Sequence, residues 1–251
     1  MSCLICGTTP TIKSHLMPKT FAREVQVGKA HALVRSSEDF DHTQSGVFEK
    51  AILCKDCDSS LGKLENIAAQ TFRKIRSSAI GAAIGSYTLP DSAGDDILRF
   101  AAGILWKYSV ASKQNGRIDL GPYGEILRDI AFKGSPIPKS IDALLFRLKI
   151  HDQDDGVFAY RTPKPDRQEG MNGYRLLVGG MLIFLKLDKQ ISKTHAYQLG
   201  AIRGTTDLPY IVLPAQKFEE FSMASDLVHG ESLSAFLDKQ ENNPKNKNQV
   251  I

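Results

Sequence analysis

The N-terminal part of the chain contains two short cysteine motifs, MSCLICGTTP at residues 1–10 and ILCKDCDSSL at residues 52–61. Each holds one Cys-x-x-Cys pair and the chain has no further cysteine, so the set is Cys3, Cys6, Cys54 and Cys57. A Cys-x-x-Cys turn puts two thiolates on one side of a tight loop, and two such turns can surround one zinc ion. The spacing therefore predicts a structural Zn²⁺ site, because four sulfur ligands leave no position open for water or substrate.

Two other interpretations of the cysteines are disulfide bonds and a redox-active pair. The first residues lack the basic start and apolar core of a signal peptide, so we expect a cytoplasmic protein, in which disulfides are rare. A redox-active Cys-x-x-Cys normally stands alone beside a βαβ unit rather than as a matched pair. The longest apolar stretch, 176–187, is too short to span a bilayer, and we expect no membrane partner.

Composition and charge are those of an ordinary globular protein. The chain has 251 residues, of which 42% are hydrophobic and 24% charged, with a formal net charge of +4. These values argue against wholesale disorder. A mildly basic balance is compatible with a nucleic-acid partner but does not require one.

A histidine lies between the two cysteine pairs, in the string Ser-His-Leu-Met-Pro at residues 14–18. The order of Cys-x-x-Cys, His followed three residues later by Pro, and Leu-Cys-x-x-Cys resembles the zinc-braced subgroup of the HNH endonucleases. The resemblance covers roughly residues 1 to 70. It implies a zinc-braced ββα-metal module in which the first cysteine pair leads into a strand and the second opens a metal-binding helix.

The resemblance also implies a catalytic role for His15, as the general base that takes a proton from the water attacking a phosphodiester. A catalytic Mg²⁺ or Mn²⁺ would need oxygen or imidazole ligands outside the four cysteines. The family has Asp before the histidine, where this chain has Ser14, and Asn or His after the second pair, where it has Asp58. Glu65 follows Asp58 by seven residues, two helical turns on the same face, so the two carboxylates are our candidate cation ligands.

Each of these residues also has a simpler interpretation. Asp58 is a good helix-capping residue, Glu65 is an ordinary solvated helix residue, and the Ser14–His15 pair could shape a backbone turn. His31 and His42 lie between the cysteine pairs and are alternative ligands, although loop histidines are usually just exposed. The basic residues of the helix after the second pair could contact phosphates or form a solvated face, and they are Arg73, Lys74 and Arg76.

The remaining sequence predicts an α+β protein. We expect a module at 1–85, an α+β domain at 86–240 and a flexible tail at 241–251. A hairpin is predicted between the cysteine pairs, and helices at 59–84, 95–112, 124–132, 217–221 and 232–239. Strands are predicted at 144–150, 156–161, 174–178, 181–187 and 210–213; their short links favour a mainly antiparallel sheet. Residues 87–91 read as a turn and 162–173 as a polar loop.

The sequence leaves three functions open. The first is an HNH-like endonuclease acting on nucleic acid, most plausibly DNA, in bacterial restriction or phage defence with a partner such as an ATPase or sensor. The second is a zinc-dependent module that binds nucleic acid or protein without catalysis, because the family's Asp and Asn are absent. The third is an interaction protein whose zinc site only stabilises its N-terminal part.

Overall fold

The computed structural model describes residues 1–28, 31–34, 36, 38–43, 46–150, 156–192 and 194–243. Its helices are α1 (Lys19–Glu24), α2 (Lys55–Ala79), α3 (Gly94–Ser109), α4 (Tyr123–Lys133), α5 (His195–Gly200), α6 (Glu219–Val228) and α7 (Glu231–Glu241). Its strands are β1 (Ser14–His15), β2 (His31–Val34), β3 (Phe40–Thr43), β4 (Phe48–Glu49), β5 (Gly85–Leu89), β6 (Ile141–Lys149), β7 (Lys164–Gln168), β8 (Met171–Val178), β9 (Met181–Leu187) and β10 (Leu208–Pro214).

Six strands form one sheet in the order β5-β10-β6-β9-β8-β7. Every neighbouring pair is antiparallel except β6 and β10, which are parallel. The predicted α+β class with a mainly antiparallel sheet is therefore confirmed. The one parallel pair is possible because the connection from β6 to β10 is long and includes three strands and α5.

The cysteine-containing part is built from two small strand pairs and one long helix. β1 pairs antiparallel with β4, placing Ser14 opposite Glu49 and His15 opposite Phe48. β2 and β3 form the hairpin that the sequence predicts between the two cysteine pairs. α2 follows β4 and begins at Lys55, within the second cysteine pair.

The main core lies between α2, α3 and one face of the sheet. α3 is buried along nearly its whole length, as expected for a helix that is apolar on all sides. Phe21, Phe72 and Phe100 join α1, α2 and α3 through ring contacts with centroids 5.6 to 5.9 Å apart. At Gly103 a Cβ atom would come within 2.8 Å of Leu61, so the glycine permits the close approach of α3 to α2.

Several elements differ from the sequence expectation. α2 begins at Lys55 rather than near 59, because the second cysteine pair itself forms the first helical turn. Of residues 87–91, expected to be a turn, only 90–91 form one, because 85–89 are strand β5. Residues 164–168, expected to be part of a loop, form β7. β7 pairs only with β8, and an edge strand tolerates the polar sequence KPDRQ.

Smaller differences concern the short segments. Residues 156–161 form no strand, and the short helices α1 and α5 were not expected. α6 extends to Val228, well past the predicted end at 221. The predicted tail at 241–251 falls mostly outside the described residues, which end at 243 with α7 reaching Glu241. The division at residue 85 stays a prediction.

Candidate metal centre and adjoining histidine site

The four cysteines come together in one cluster. Their Sγ atoms all lie within 4.8 Å of one another. The Cys6 Sγ is 3.6 Å from both the Cys54 Sγ and the Cys57 Sγ. Cys3 and Cys54 are buried, Cys57 is half-buried and Cys6 is exposed.

Backbone hydrogen bonds hold the two cysteine loops side by side. The Leu4 N–H donates to the Ile52 carbonyl and the Ile12 N–H to the Leu53 carbonyl, both at 2.9 Å. Ile52 and Leu53 are buried, which anchors the second cysteine pair in the core. Gly7 has φ of +74°, a conformation that favours glycine, and its N–H closes the first loop on the Cys3 carbonyl.

The spacing of the sulfur atoms fits a tetrahedral zinc ion. Zinc–sulfur bonds of about 2.3 Å place the ligand sulfurs about 3.8 Å apart, whereas a disulfide needs about 2.05 Å. The measured 3.6 Å separations match the former. The cluster can therefore hold a metal ion such as zinc, and no cysteine is left over for another role.

The thiols of the cluster also influence one another. Hydrogen bonds from Thr8, first its side chain and then its N–H, lower the pKa of Cys6 to about 6. Burial, followed by the neighbouring thiols, raises the pKa of Cys57. A bound dication favours the thiolate form of every ligand, so it would stabilise the thiolate of Cys57 as well as that of Cys6.

His15 lies at the end of β1, and the preceding residue contacts Asp58, which follows Cys57 in the chain. The hydroxyl of Ser14 donates to Asp58 Oδ1 at 2.5 Å, which joins β1 to the first turn of α2. The Leu16 N–H donates to the Val47 carbonyl at 3.0 Å. The position of His15 is thus fixed on both sides by its neighbours, and its own ring lies edge-on to Phe48 with centroids 6.2 Å apart.

A buried lysine connects His15 to Glu65. Lys107, in the last turn of α3, is 1% exposed, and its Nζ donates to the His15 carbonyl at 2.7 Å and to Glu65 Oε1 at 2.9 Å. One ammonium group thus binds both the backbone of β1 and the second candidate carboxylate of α2. Sequence reasoning missed Lys107, although a lone lysine in the apolar run ILWKYS was a usable signal.

The surroundings of His15 favour its neutral form. Burial lowers the pKa of His15, and the positive charges of Lys107 and Lys19 lower it further. The carboxylates of Asp58 and Glu65 raise the pKa of His15, but by less than burial and the two lysines lower it. A neutral imidazole is the form that accepts a proton.

Asp58 and Glu65 face the same site but are far apart along the helix. Seven residues of α2 correspond to a rise of about 10 Å. Among the described residues, the cysteines alone form a group of three or more metal-ligating side chains within 4.8 Å. The two carboxylates have separate protein partners, Ser14 for Asp58 and Lys107 for Glu65.

His42, Arg73 and Arg76 have partners outside the histidine site, whereas the side chain of His31 lies outside the described part of the structure. His42 is exposed on β3, and its ring contacts Phe236 of α7 at a centroid distance of 5.5 Å. Arg73 and Arg76 both pair with Glu24 of α1, and the buried Arg76 also donates to the Gly179 carbonyl at 2.7 Å. Arg76 thus links α2 to α1 and to the turn before β9, and does not belong to a phosphate-binding surface.

Substituting Lys107 by methionine tests the contact between α3 and the histidine site. We expect the free energy of unfolding to fall by about 1–3 kcal/mol, because Glu65 and the His15 carbonyl lose a buried partner. Urea unfolding followed by circular dichroism measures the change. The matched control is Lys133→Met, whose exposed ion pair with Asp129 should contribute little to stability because water and salt screen it. Equal effects of the two substitutions would contradict the structural role of Lys107.

Comparison of the chain with protein-family models, with curated proteins and with solved structures found no match. Within the described ranges, none of the helices combines the length and the apolar character needed to cross a membrane.

Proposed function

We propose that the protein is a metal-dependent, HNH-like endonuclease that hydrolyses phosphodiester bonds. The observation that carries the proposal is the placement of His15. A histidine whose surroundings favour the neutral form lies beside Asp58, and that carboxylate belongs to the helix that begins at the second cysteine pair. The order of strand, strand and helix around a four-cysteine cluster supports it as well.

The zinc ion has a structural role in this proposal. It links the loop that precedes β1 to the start of α2, and so it determines how His15 and Asp58 lie relative to each other. Four thiolates satisfy zinc completely, and no catalytic step passes through it.

A second, hard cation is held at Asp58. When bound, Mg²⁺ or Mn²⁺ supplies positive charge for the scissile phosphate and the leaving oxygen. Asp58 Oδ1 accepts the Ser14 hydroxyl, which orients the carboxylate so that its other oxygen can serve as the ligand. Ser14, in the place of the family's Asp, thus acts on the ion through Asp58.

His15 accepts the proton of the attacking water. Lys107 holds the carbonyl of the same residue, and Glu65 in turn compensates the charge of Lys107. Glu65 therefore contributes by positioning the base and by compensating charge. The proposed substrate is nucleic acid, with DNA the first choice, and the proposed setting is cytoplasmic restriction or phage defence with an ATPase or sensor as partner.

A second candidate function is a zinc-dependent module that binds nucleic acid or protein without cutting. Ser14 replaces the metal-binding Asp of the family, and both helix carboxylates already have a protein partner. These facts favour a site that has kept its framework and lost its second metal ion.

A cleavage assay separates the two functions. Zinc-loaded protein, dialysed free of other divalent ions, is incubated with plasmid, linear and single-stranded DNA and with RNA, with and without added Mg²⁺ or Mn²⁺. We expect cleavage only after a divalent ion is added. Binding of labelled nucleic acid with no cleavage under any of these conditions would favour the second function.

A further inference from the structure

A cavity of about 170 Å³ lies on the sheet face that points away from α3. Side chains alternate along a strand, so Leu144, Phe184 and Leu182 face the cavity while Ala143 and Ile183 pack in the main core. Tyr197 of α5 covers one side and Phe218, just before α6, covers another. The cavity thus lies over the middle of the sheet, between α5 and the start of α6.

The hydroxyl of Tyr197 is buried in this cavity without a hydrogen bond. Tyr197 is 7% exposed, and its hydroxyl oxygen has no partner in the part of the chain that the structure describes. A buried polar group left unsatisfied costs about 1–3 kcal/mol. Burial, together with the carboxylates of Asp142 and Glu169, raises the pKa of Tyr197, so the group is a neutral hydroxyl that can both donate and accept.

The charged groups of the lining leave an excess of negative charge. Arg175 is matched by Asp166 at 3.3 Å and by Glu219 at 2.7 Å. Asp166 also accepts from the Gln168 amide at 2.6 Å. Glu169 completes the lining, and its carboxylate forms no ion pair with any described residue. Arg161 and Lys164 also pair with Glu219, so the charge left over is that of Glu169, which is exposed. An anionic ligand would therefore meet this one carboxylate without a compensating cation.

We propose that this cavity binds a small planar aromatic amine or amidine. Its ring would lie among Phe146, Phe184 and Phe218, and its N–H groups would donate to the Tyr197 hydroxyl and the Glu169 carboxylate. Drug-sized ligands usually occupy cavities of about 300–1,000 Å³, so the ligand has one ring or two fused rings. The site is independent of the nuclease proposal.

Benzamidine and benzoate test the proposal, because they share size and shape but carry opposite charges. Ligand-observed NMR titration of the full chain gives both affinities. We expect benzamidine to bind at least about tenfold more tightly than benzoate, since only the cation complements the lining. Equal affinities, or no binding of benzamidine, would overturn the proposal.

Two conservative variants test whether benzamidine binds in this cavity, and a third serves as a control. Tyr197→Phe keeps the ring and removes the hydroxyl, and we expect benzamidine affinity to fall about threefold to tenfold. Glu169→Gln should weaken benzamidine by a similar factor. The control is Tyr87→Phe, which removes a hydroxyl bound to the Ala83 carbonyl at the other edge of the sheet and should change nothing. Circular dichroism checks the fold of each, and unaltered affinity in Tyr197→Phe would contradict the assignment.

Discussion

His15→Ala is expected to abolish phosphodiester cleavage while the fold and the zinc content remain those of the parent. Alanine cannot take a proton from water, and a positioned general base contributes about 100-fold to 10,000-fold to a rate. The substitution keeps the backbone carbonyl that Lys107 binds, so the support of β1 by α3 is retained. The loss would then report the chemistry of the ring and not damage to the framework.

The matched control is His42→Ala. His42 is exposed on β3, in contact with Phe236 and outside the cysteine cluster, so its removal should leave the rate within about twofold. Initial rates under the same Mg²⁺ or Mn²⁺ conditions, zinc content and thermal unfolding are compared for the three proteins. Cleavage by His15→Ala at the parental rate would show that another group is the base.

Cys54→Ser has the largest expected effect on stability. Cys54 is 4% exposed, it lies 3.6 Å from the sulfur of Cys6, and its carbonyl accepts the Asp58 N–H in the first turn of α2. Binding of structural zinc by small zinc-finger peptides is worth about 10–16 kcal/mol, and a site that loses one of four thiolates loses much of that. We expect the variant to purify without zinc and to be destabilised by more than about 3 kcal/mol.

Zinc content by metal analysis and stability by urea unfolding measure this effect. Ser2→Ala, an exposed neighbour of the first cysteine pair, is the control and should keep one zinc per chain. Removing zinc from the parent with a chelator should reproduce the instability of Cys54→Ser. A zinc-free parent as stable as the loaded one would show that the cluster does not stabilise the fold.

The cysteine cluster and the main helices could be predicted from the sequence because their signals are local. A Cys-x-x-Cys turn is specified by four residues, and α3 by a long apolar periodicity with acids at its start. The spacing of Asp58 and Glu65 predicts that both face one side of α2. It could not show that Ser14 and Lys107 are their partners, because these contacts join residues more than 40 positions apart.

The elements that sequence reasoning missed depend on neighbours in space. β7 has the composition of a loop and is a strand only because β8 offers it a free edge. Arg76 looks like part of a basic surface, yet it is buried by α1 and the turn at Gly179. In both cases the tertiary surroundings override the local pattern.

The lysine of α3 has an evolutionary consequence. The histidine belongs to the cysteine-containing segment and its support comes from a helix 92 positions later, so a recombination event that exchanged everything after residue 85 would break the pair. A fusion to an unrelated downstream sequence would need to supply an ammonium group at the same place. We therefore expect related proteins to inherit the two segments together. Lys107 and Glu65 should both be kept or should both be replaced.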